Sequence, residues 1–282
     1  MLTNSGVLYI VATPIGNRDD ISQRALTVLS EVDFIAAEDT RHSRHLLQYF
    51  NIKTRMVAYH DHNEEHATPP LIEKMRSGQS MALISDAGTP LLSDPGYRLV
   101  KAAHEAGIKV SPIPGACAAI AALSVSGLPT DRFSFVGFPP VKSVARCAFY
   151  TQLLEETATH IFYESSHRIQ ASLADMLSVF GEQRQVVLGR EITKTFETIK
   201  SAPLGELVTW LNADSNQRKG EFVVLVQGFA ASDHDEVKVA LEPLLKLLMQ
   251  ELPVKQASQL AAKIMGQKKN AVYKLALALK ES

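Results

Sequence analysis

Short unbroken apolar runs recur along the first half of the chain, and each stops at a cluster of glycine, proline or charged residues. Leu8 to Ala12 ends at Thr13-Pro-Ile-Gly-Asn17, and Phe34 to Ala37 at Glu38-Asp-Thr-Arg-His42. Met56 to Tyr59 ends at His60-Asp-His-Asn-Glu64, Met81 to Ile84 at Ser85-Asp-Ala-Gly-Thr-Pro90, and Val110 to Ile113 at Pro114-Gly115. Between the runs the apolar spacing is helical. Ile21, Ala25, Leu26, Leu29 and Val32 share one face; further helical stretches follow at Leu46 to Phe50 and Gly96 to Ala106. Apolar runs without alternation, separated by helices, predict a parallel sheet buried on both faces. In such a sheet ligands bind beyond the carboxyl ends of the strands, so the polar clusters are expected to share one edge.

Ala116 to Ser126 is small and apolar and is expected to close this first domain; Gly127 to Asp131 reads as a linker. A second unit follows, with strands predicted at Phe133 to Phe138, His160 to Tyr163, Val186 to Leu188 and Phe222 to Val226. Helices are predicted at Ser143 to Glu156 and Ile169 to Phe180. Two strands fall close together around Arg190 to Ile199 with no clear helix between them, which predicts a mixed sheet. After a polar break at Ala230 to Glu236 the chain turns helical. From Pro253 onward lysines 255, 263, 268, 269, 274 and 280 face a single acid, Glu281, and Gly266 divides two short helices in helix-turn-helix outline. The expected architecture is two α/β domains, 1–126 with a mainly parallel sheet and 127–230 with a mixed one, and a lysine-rich helical tail over 237–282.

Composition narrows the function classes. Hydrophobic residues at 46% and charged residues at 21% of 282 exclude a mainly disordered chain. Lys plus Arg total 29 against 30 acids, a net charge of -1, which excludes a uniformly basic coat but not a local basic patch. The two cysteines, Cys117 and Cys147, exclude a disulfide framework and a cysteine-built zinc site, and a reducing cytoplasm is the expected compartment. Met1 to Gly6 lacks the basic start and apolar run of a signal peptide, and no window suggests a membrane span.

The glycine turns at Thr13 to Asn17, Ser85 to Pro90 and Pro114 to Ala119 would bring accessible backbone to one crevice. Asp94-Pro-Gly96 follows the second of these; a carboxylate there could take a ribose hydroxyl or an ammonium group, and Asp94 could equally cap the next helix. None matches a phosphate loop or a dinucleotide fingerprint, and no Gly-x-Ser-x-Gly elbow supports a hydrolase triad. His60 and His62 could share an ion, but the cluster lacks tight ligand spacing, so no metal is expected. Glu164-Ser-Ser-His-Arg168 and Arg190-Glu-Ile-Thr-Lys194 repeat the strand-end charge in the second half. Arg168, Arg190, Lys194, Arg218 and Lys219 would suit an anionic backbone, or be ordinary surface charge.

Taken in order, Thr13 to Asn17, Ala37-Glu-Asp-Thr-Arg-His42, His60 to Glu64, Ser85 to Leu91, Asp94 to Gly96, Phe162-Tyr-Glu-Ser165, Arg190-Glu191 with Thr193-Lys194, and Lys219-Gly-Glu221 resemble a specific family. It is the bacterial ribosomal RNA small-subunit methyltransferase I family, within the tetrapyrrole-methylase-like, class III S-adenosylmethionine enzymes. The resemblance covers nearly the whole chain. It implies two α/β domains with S-adenosylmethionine between them, a homodimer, and 2′-O-methylation of a cytidine ribose in 16S rRNA at the decoding centre. By motif it places Pro14, Ser85, Asp86, Ala87 and Gly88 at the cofactor from the first domain, with Cys117 and Ala118 after the Pro-Gly turn. Tyr163, Gly220, Glu221 and Phe222 would meet it from the second. The chain departs from the wider superfamily at Ser85, where that superfamily has glycine. A ribose hydroxyl gains from a positioned base, for which Glu38, Asp39, His60 and Glu64 are the first candidates, with Glu164 and Glu191 behind them. Arg190 and Lys194 could stabilise a developing alkoxide. Arg41, Arg168, Lys219, Lys268, Lys269 and Lys274 are the candidate RNA contacts. Two alternatives stay open at this point: carbon methylation of a porphyrin-like precursor, and a non-enzymatic RNA-binding or assembly factor on the same fold.

Overall fold

The structure is a computed structural model that describes residues 6–229 and 233–281. The polar N-terminal stretch 1–5, part of the expected break at 230–232, and Ser282 lie outside the described residues. The chain forms two compact units, Met1–Gly228 and Phe229–Ser282.

The first sheet holds β1 (Val7–Val11), β2 (Phe34–Ala37), β3 (Met56–Ala58), β4 (Met81–Ile84) and β5 (Lys109–Ile113), in the order β3-β2-β4-β1-β5. Every pair is parallel. β2 and β4 are buried at each residue, which is why their sequences run apolar without alternation. One face packs on α1 (Gln23–Glu31) and α2 (Thr40–Tyr49) through Ala25, Leu29 and Leu47. The other packs on α3 (Glu64–Arg76) and α4 (Tyr97–Glu105) through Leu71, Met75, Leu99 and Ala103. β1 connects to β2 across β4, and β4 connects to β5 across β1. The two neighbours therefore send their chains in opposite directions, and a crevice opens beyond their carboxyl ends. The sequence reading passed over α3, because Pro69 and Pro70 lie inside it; both rings are exposed, off the packed face.

The second sheet runs β6-β7-β10-β8-β9, from β6 (Phe133–Gly137), β7 (Thr159–Ser165), β8 (Gln185–Arg190), β9 (Thr198–Pro203) and β10 (Glu221–Val226). Only β6 and β7 are parallel, so the sheet is mixed. One face carries α6 (Ser143–Gln152), α7 (Ile169–Phe180) and α8 (Leu204–Ala213), packed on Phe162, Leu188 and Val224. The opposite face carries α5 (Ala118–Ser126), with Ala119, Ala122 and Leu123 against Ile161, Val187 and Leu225. This corrects one expectation. The helix read as closing the first domain packs on the second sheet, so a domain boundary at 126 would cut through a core. Its small apolar residues are what let a helix lie flat on the strands.

The second compact unit consists of α9 (Asp233–Glu251), α10 (Val254–Ile264) and α11 (Lys269–Glu281). Leu241, Leu245, Ala261, Val272 and Ala276 form its core. Gly266 ends α10 at φ +63°, and the Gln267 amide donates to the Ala262 carbonyl. Leu260 and Ile264 of α10 are exposed. Among the described residues no helix is long and apolar enough to cross a membrane.

Candidate active site

The carboxyl ends of β1, β2 and β4 are laced together by their turns. The Asp86 amide donates to Glu38 Oε2 at 3.3 Å, and the Asp39 amide donates to Asp86 Oδ1 at 3.1 Å. The register that sets Ala37 beside Ile84 makes these bonds possible, since it brings the two turns level. Thr13 and Gly88 exchange backbone hydrogen bonds of 2.8 and 3.0 Å. Gly88 does so at φ +80°, a conformation that favours glycine. Thr89 Oγ1 donates to the Ala116 carbonyl at 3.0 Å, tying in the third small-residue turn.

The second sheet closes over these turns. The Ala119 amide at the start of α5 donates to Tyr163 Oη at 3.2 Å, and burial pushes the Tyr163 hydroxyl up to about 12. The segment after β8 adopts left-handed backbone at Glu191 and Thr193 (φ 50° and 67°). That geometry brings Thr193 Oγ1 to within 3.0 Å of the Asn17 amide, which donates to it. A Cβ on Gly16 would stand 2.5 Å from Lys194 Cγ, so the absence of a side chain there permits the approach.

Between the two layers lies a cleft of about 540 Å³. Ile15, Leu92, Phe138, Tyr163 and Ile192 supply apolar and aromatic walls. The ionisable carboxylates of its lining are Glu38, Asp86, Asp94, Glu164 and Glu221, and among the described residues no lysine or arginine lines it. Burial raises the Glu38 carboxyl against the opposing hydrogen bond from Asp86. Burial pushes Asp94 from an ordinary 3.8 to about 6, and the neighbouring Glu38 and Asp86 charges add to the rise. A cleft with aromatic walls and only negative ionised groups suits a cation carrying a flat ring system.

Of the cofactor residues expected from the sequence, Asp86, Ala87, Gly88, Cys117, Ala118, Tyr163, Glu221 and Phe222 line this cleft. Pro14, Ser85 and Gly220 do not line it. Ser85 is buried and donates to the Ala87 carbonyl at 3.3 Å; Gly220, at φ +102°, leaves room for the Glu191 side chain.

Of the four first-named acids and bases Glu38 alone lines the cleft, and of the two behind them Glu164 does. Asp39 caps α2, and its pairing with Arg41 lowers its carboxyl to about 2. His60 sits in a turn closed by Asn63, whose Oδ1 accepts from the His60 amide. Glu64 pairs with Arg98 at 2.7 Å. Arg190 Nε donates to the Lys219 carbonyl at 2.6 Å and Nη1 to the Phe196 carbonyl at 2.9 Å. Lys194 bridges Glu191 and Glu221 at 3.0 and 2.8 Å. Glu191, whose burial would raise it, is held low by the Glu221 amide and Lys194. Among the expected RNA contacts, Arg41 is exposed, and Lys219 is exposed with Nζ donating to Asn216. Arg168 is turned inward to Glu164 and to the Pro139 and Pro140 carbonyls. Lys268, Lys269 and Lys274 are exposed on the separate helical unit.

Asp94 and Phe138 were missed as site residues. Asp94 carried a signal: a carboxylate between two turn residues and Pro95-Gly96. Read as the cap of the next helix, it yields that place to Gly96, at φ 131°. Among the described residues no group of three or more His, Cys, Asp or Glu is arranged to hold a metal ion.

A family model described as Tetrapyrrole (Corrin/Porphyrin) Methylases matches residues 7–208, and one described as the RsmI C-terminal HTH domain matches 235–280. A diphthine synthase structure superposes with a TM-score of 0.61 at 18% identity, covering 82% of this chain and 93% of that one. The uroporphyrin-III-C-methyltransferase of Thermus thermophilus superposes with a TM-score of 0.55 at 21% identity, covering 79% and 94%. These likenesses show the shared fold. Sequence relatives are far closer. Ribosomal RNA small subunit methyltransferase I of Escherichia coli O157:H7 is 56% identical over 274 residues, 97% of this chain and 96% of its own length. The protein of the same name from Vibrio cholerae is 55% identical over 271 residues, 96% and 94%. With that identity over both α/β layers and the helical tail, the chain belongs to the ribosomal RNA small subunit methyltransferase I family.

Proposed function

We propose that this chain transfers a methyl group from S-adenosylmethionine to the ribose 2′-hydroxyl of a cytidine in 16S rRNA, at the decoding centre of the small subunit. It acts in the cytoplasm as a homodimer; the nucleotide, its site and the dimer rest on the family likeness. The observation that carries the cofactor is the charge of the cleft: among the described residues its lining includes five acidic residues and no lysine or arginine, around a space walled by Tyr163 and Phe138. S-adenosylmethionine is a cation at sulfur and at its ammonium group, and it carries an adenine ring, so the residues fit it. Asp86, Ala87 and Gly88 would hold it from the first layer, and Tyr163 with Phe222 from the second. When bound it supplies a methyl group already activated on a sulfonium, so no metal is required for the electrophile.

The chain's own residues do the rest. The same negative lining repels phosphate, so the RNA backbone stays at the rim while a single sugar enters. Lys219 and Arg41, both exposed, are suited to that backbone, as are Lys268, Lys269 and Lys274 of the tail. Holding the hydroxyl in line with the methyl group converts the encounter into a near-unimolecular step. A buried carboxylate then accepts the hydroxyl proton.

Incubation with tritiated S-adenosylmethionine tests the reading, with 30S subunits or a tetrapyrrole precursor offered as acceptor. Label is expected in 16S rRNA, recovered as a 2′-O-methylated cytidine after nuclease digestion. Label in the precursor alone would replace this reading with carbon methylation.

A further inference from the structure

The backbone around Asp94 is strained on both sides. Leu91 and Ser93 adopt left-handed φ of 74° and 67°, and Gly96 sits at 131°. A Cβ on Gly96 would stand 2.7 Å from Leu83 Cδ2, so the chain is pressed against the β4 core just as it starts α4. Left-handed backbone at two non-glycine residues is costly, and such strain persists where the surrounding structure over-determines it. What it secures here is the position of one carboxylate. Asp94 is carried into the cleft, toward Ser85 and between the turns of the first sheet and Tyr163 of the second.

The other four carboxylates of the lining are committed. Glu38 accepts from the Asp86 amide, and Asp86 accepts from the Asp39 amide. Glu221 pairs with Lys194. Glu164 Oε1 accepts from the Ser165 amide and pairs with Arg168. Its Oε2 is buried without a partner, but alternation along β7 sets Glu164 on the face of Phe162, toward α6 and α7. Asp94 lies beside the Ser85 hydroxyl, and among the described residues no lysine or arginine lines the cleft around it.

We propose that Asp94 is the general base that accepts the proton of the substrate hydroxyl. The assignment rests on the reading of the protein as a ribose 2′-O-methyltransferase. In the step, the hydroxyl oxygen bonds to the methyl carbon and the O–H proton passes to Asp94. The electron pair of the carbon–sulfur bond returns to sulfur, leaving a neutral thioether. The charges acting on Asp94 are those of Glu38, Asp86 and Asp61, all negative, and Tyr163 in the same lining is kept neutral by burial. With burial, they hold its carboxyl near 6, so it is ionised at neutral pH yet basic enough to take a proton.

The test compares Asp94→Asn with its parent. Calorimetry reads S-adenosylmethionine affinity, and single-turnover transfer to 30S subunits reads the chemical step across pH 5 to 9. The expected result is affinity within a few-fold of the parent and a transfer rate lower by about 10²–10⁴. In the parent, the rate should rise with pH through about 6 and level off; in the variant that limb should vanish. A variant rate within a few-fold of the parent overturns the assignment. So does a loss of cofactor affinity that accounts for the lost rate, since Asp94 would then be a cofactor ligand. A parent that labels no 2′-hydroxyl sinks the methyltransferase reading and the base with it, whereas the first two outcomes sink the base alone.

Discussion

Both α/β layers carry charged clusters at their strand ends, yet the clusters do different things. After β2 and β4 in the first layer, Glu38 and Asp86 project from turns beyond the last paired residue and line the cleft. In the second layer, Glu164 and Arg190 lie inside their strands, and the pleat sends them to the side covered by α6, α7 and α8. There Arg190 binds the Phe196 and Lys219 carbonyls, while Glu164 and Arg168 support the loop at Pro139 and Pro140. The same residue types serve chemistry where the chain has left the sheet, and hold loops in place where it has not. A parallel sheet buried on both faces leaves polar residues nowhere to go but its ends. A mixed sheet offers a second place, against the carbonyls of the loops that cover it.

The sharpest way to break this contrast is at Arg168. If it is a support, Arg168→Ala leaves the Glu164 carboxylate buried and unpaired and frees the 139–140 loop. Stability should fall by about 3–5 kcal/mol, as when one partner of a buried pair is removed. If it is an RNA contact, stability holds and only binding to 30S subunits weakens. Urea denaturation beside filter binding separates the two.

Gly88→Val probes the first layer. A β-branched residue at φ +80° is strained whatever the space around it, and the Thr13–Gly88 bridge must shift. Affinity for S-adenosylmethionine should drop by about 100-fold, roughly 2.7 kcal/mol, while the second layer stays folded. Unchanged affinity in a folded variant would mean that the cofactor does not use this turn.

Much of this was legible in the sequence, for identifiable reasons. The first layer's strands announced themselves because burial on both faces forbids polar interruptions, and its glycine turns because a left-handed φ at Gly88 and close approaches at Gly16 and Gly115 select glycine. Tyr163 and the Gly220 to Phe222 stretch came from the family likeness, not from periodicity. What stayed hidden depends on pairing between distant segments. No local pattern says that α5 sits on the second sheet, since its small apolar face fits either layer. Nor does one say that Glu64 would meet Arg98, or that Arg168 would turn inward; both depend on which helix lies next to which. Asp94 was visible, but a carboxylate before Pro-Gly reads as a helix cap until the fold shows Gly96 in that place.

The tail extends the contrast to a third kind of charge. Lys268, Lys269 and Lys274 are exposed on a unit whose core of Leu245, Ala261, Val272 and Ala276 does not need them. Replacing all three with glutamine should leave the melting of the protein and its cofactor affinity unchanged. Binding to 30S subunits should weaken by about 10-fold at physiological salt, and the slope of log affinity against log salt should fall by about 2, because fewer counterions are released. Identical slopes for variant and parent would reduce these lysines to solvated surface.

The smallest effect concerns the cost of holding Asp94 in the cleft. Its carboxyl titrates near 6 in the folded protein against 3.8 for an ordinary aspartate. A raised acid favours folding while it is protonated. That contribution is fully present below about pH 3.8 and is lost as pH rises through about 6, so at pH 7 the ionised carboxylate opposes the fold. Asp94→Asn removes the charge and should stabilise the protein at pH 7 by about 1 kcal/mol, after allowing for partial solvent screening. At pH 4 the gain should be close to nothing. His160 titrates in the opposite sense, since burial holds it neutral and acid destabilises the fold through it; comparing variant with parent at each pH cancels that background. Thermal melts across this range measure the difference. A variant that is more stable at pH 7 and slower in transfer would place Asp94 among residues kept for chemistry at the expense of the fold. A variant less stable at every pH would make its carboxylate part of the scaffold, and the contrast between cleft-facing turns and loop supports would then fail in the first layer as well.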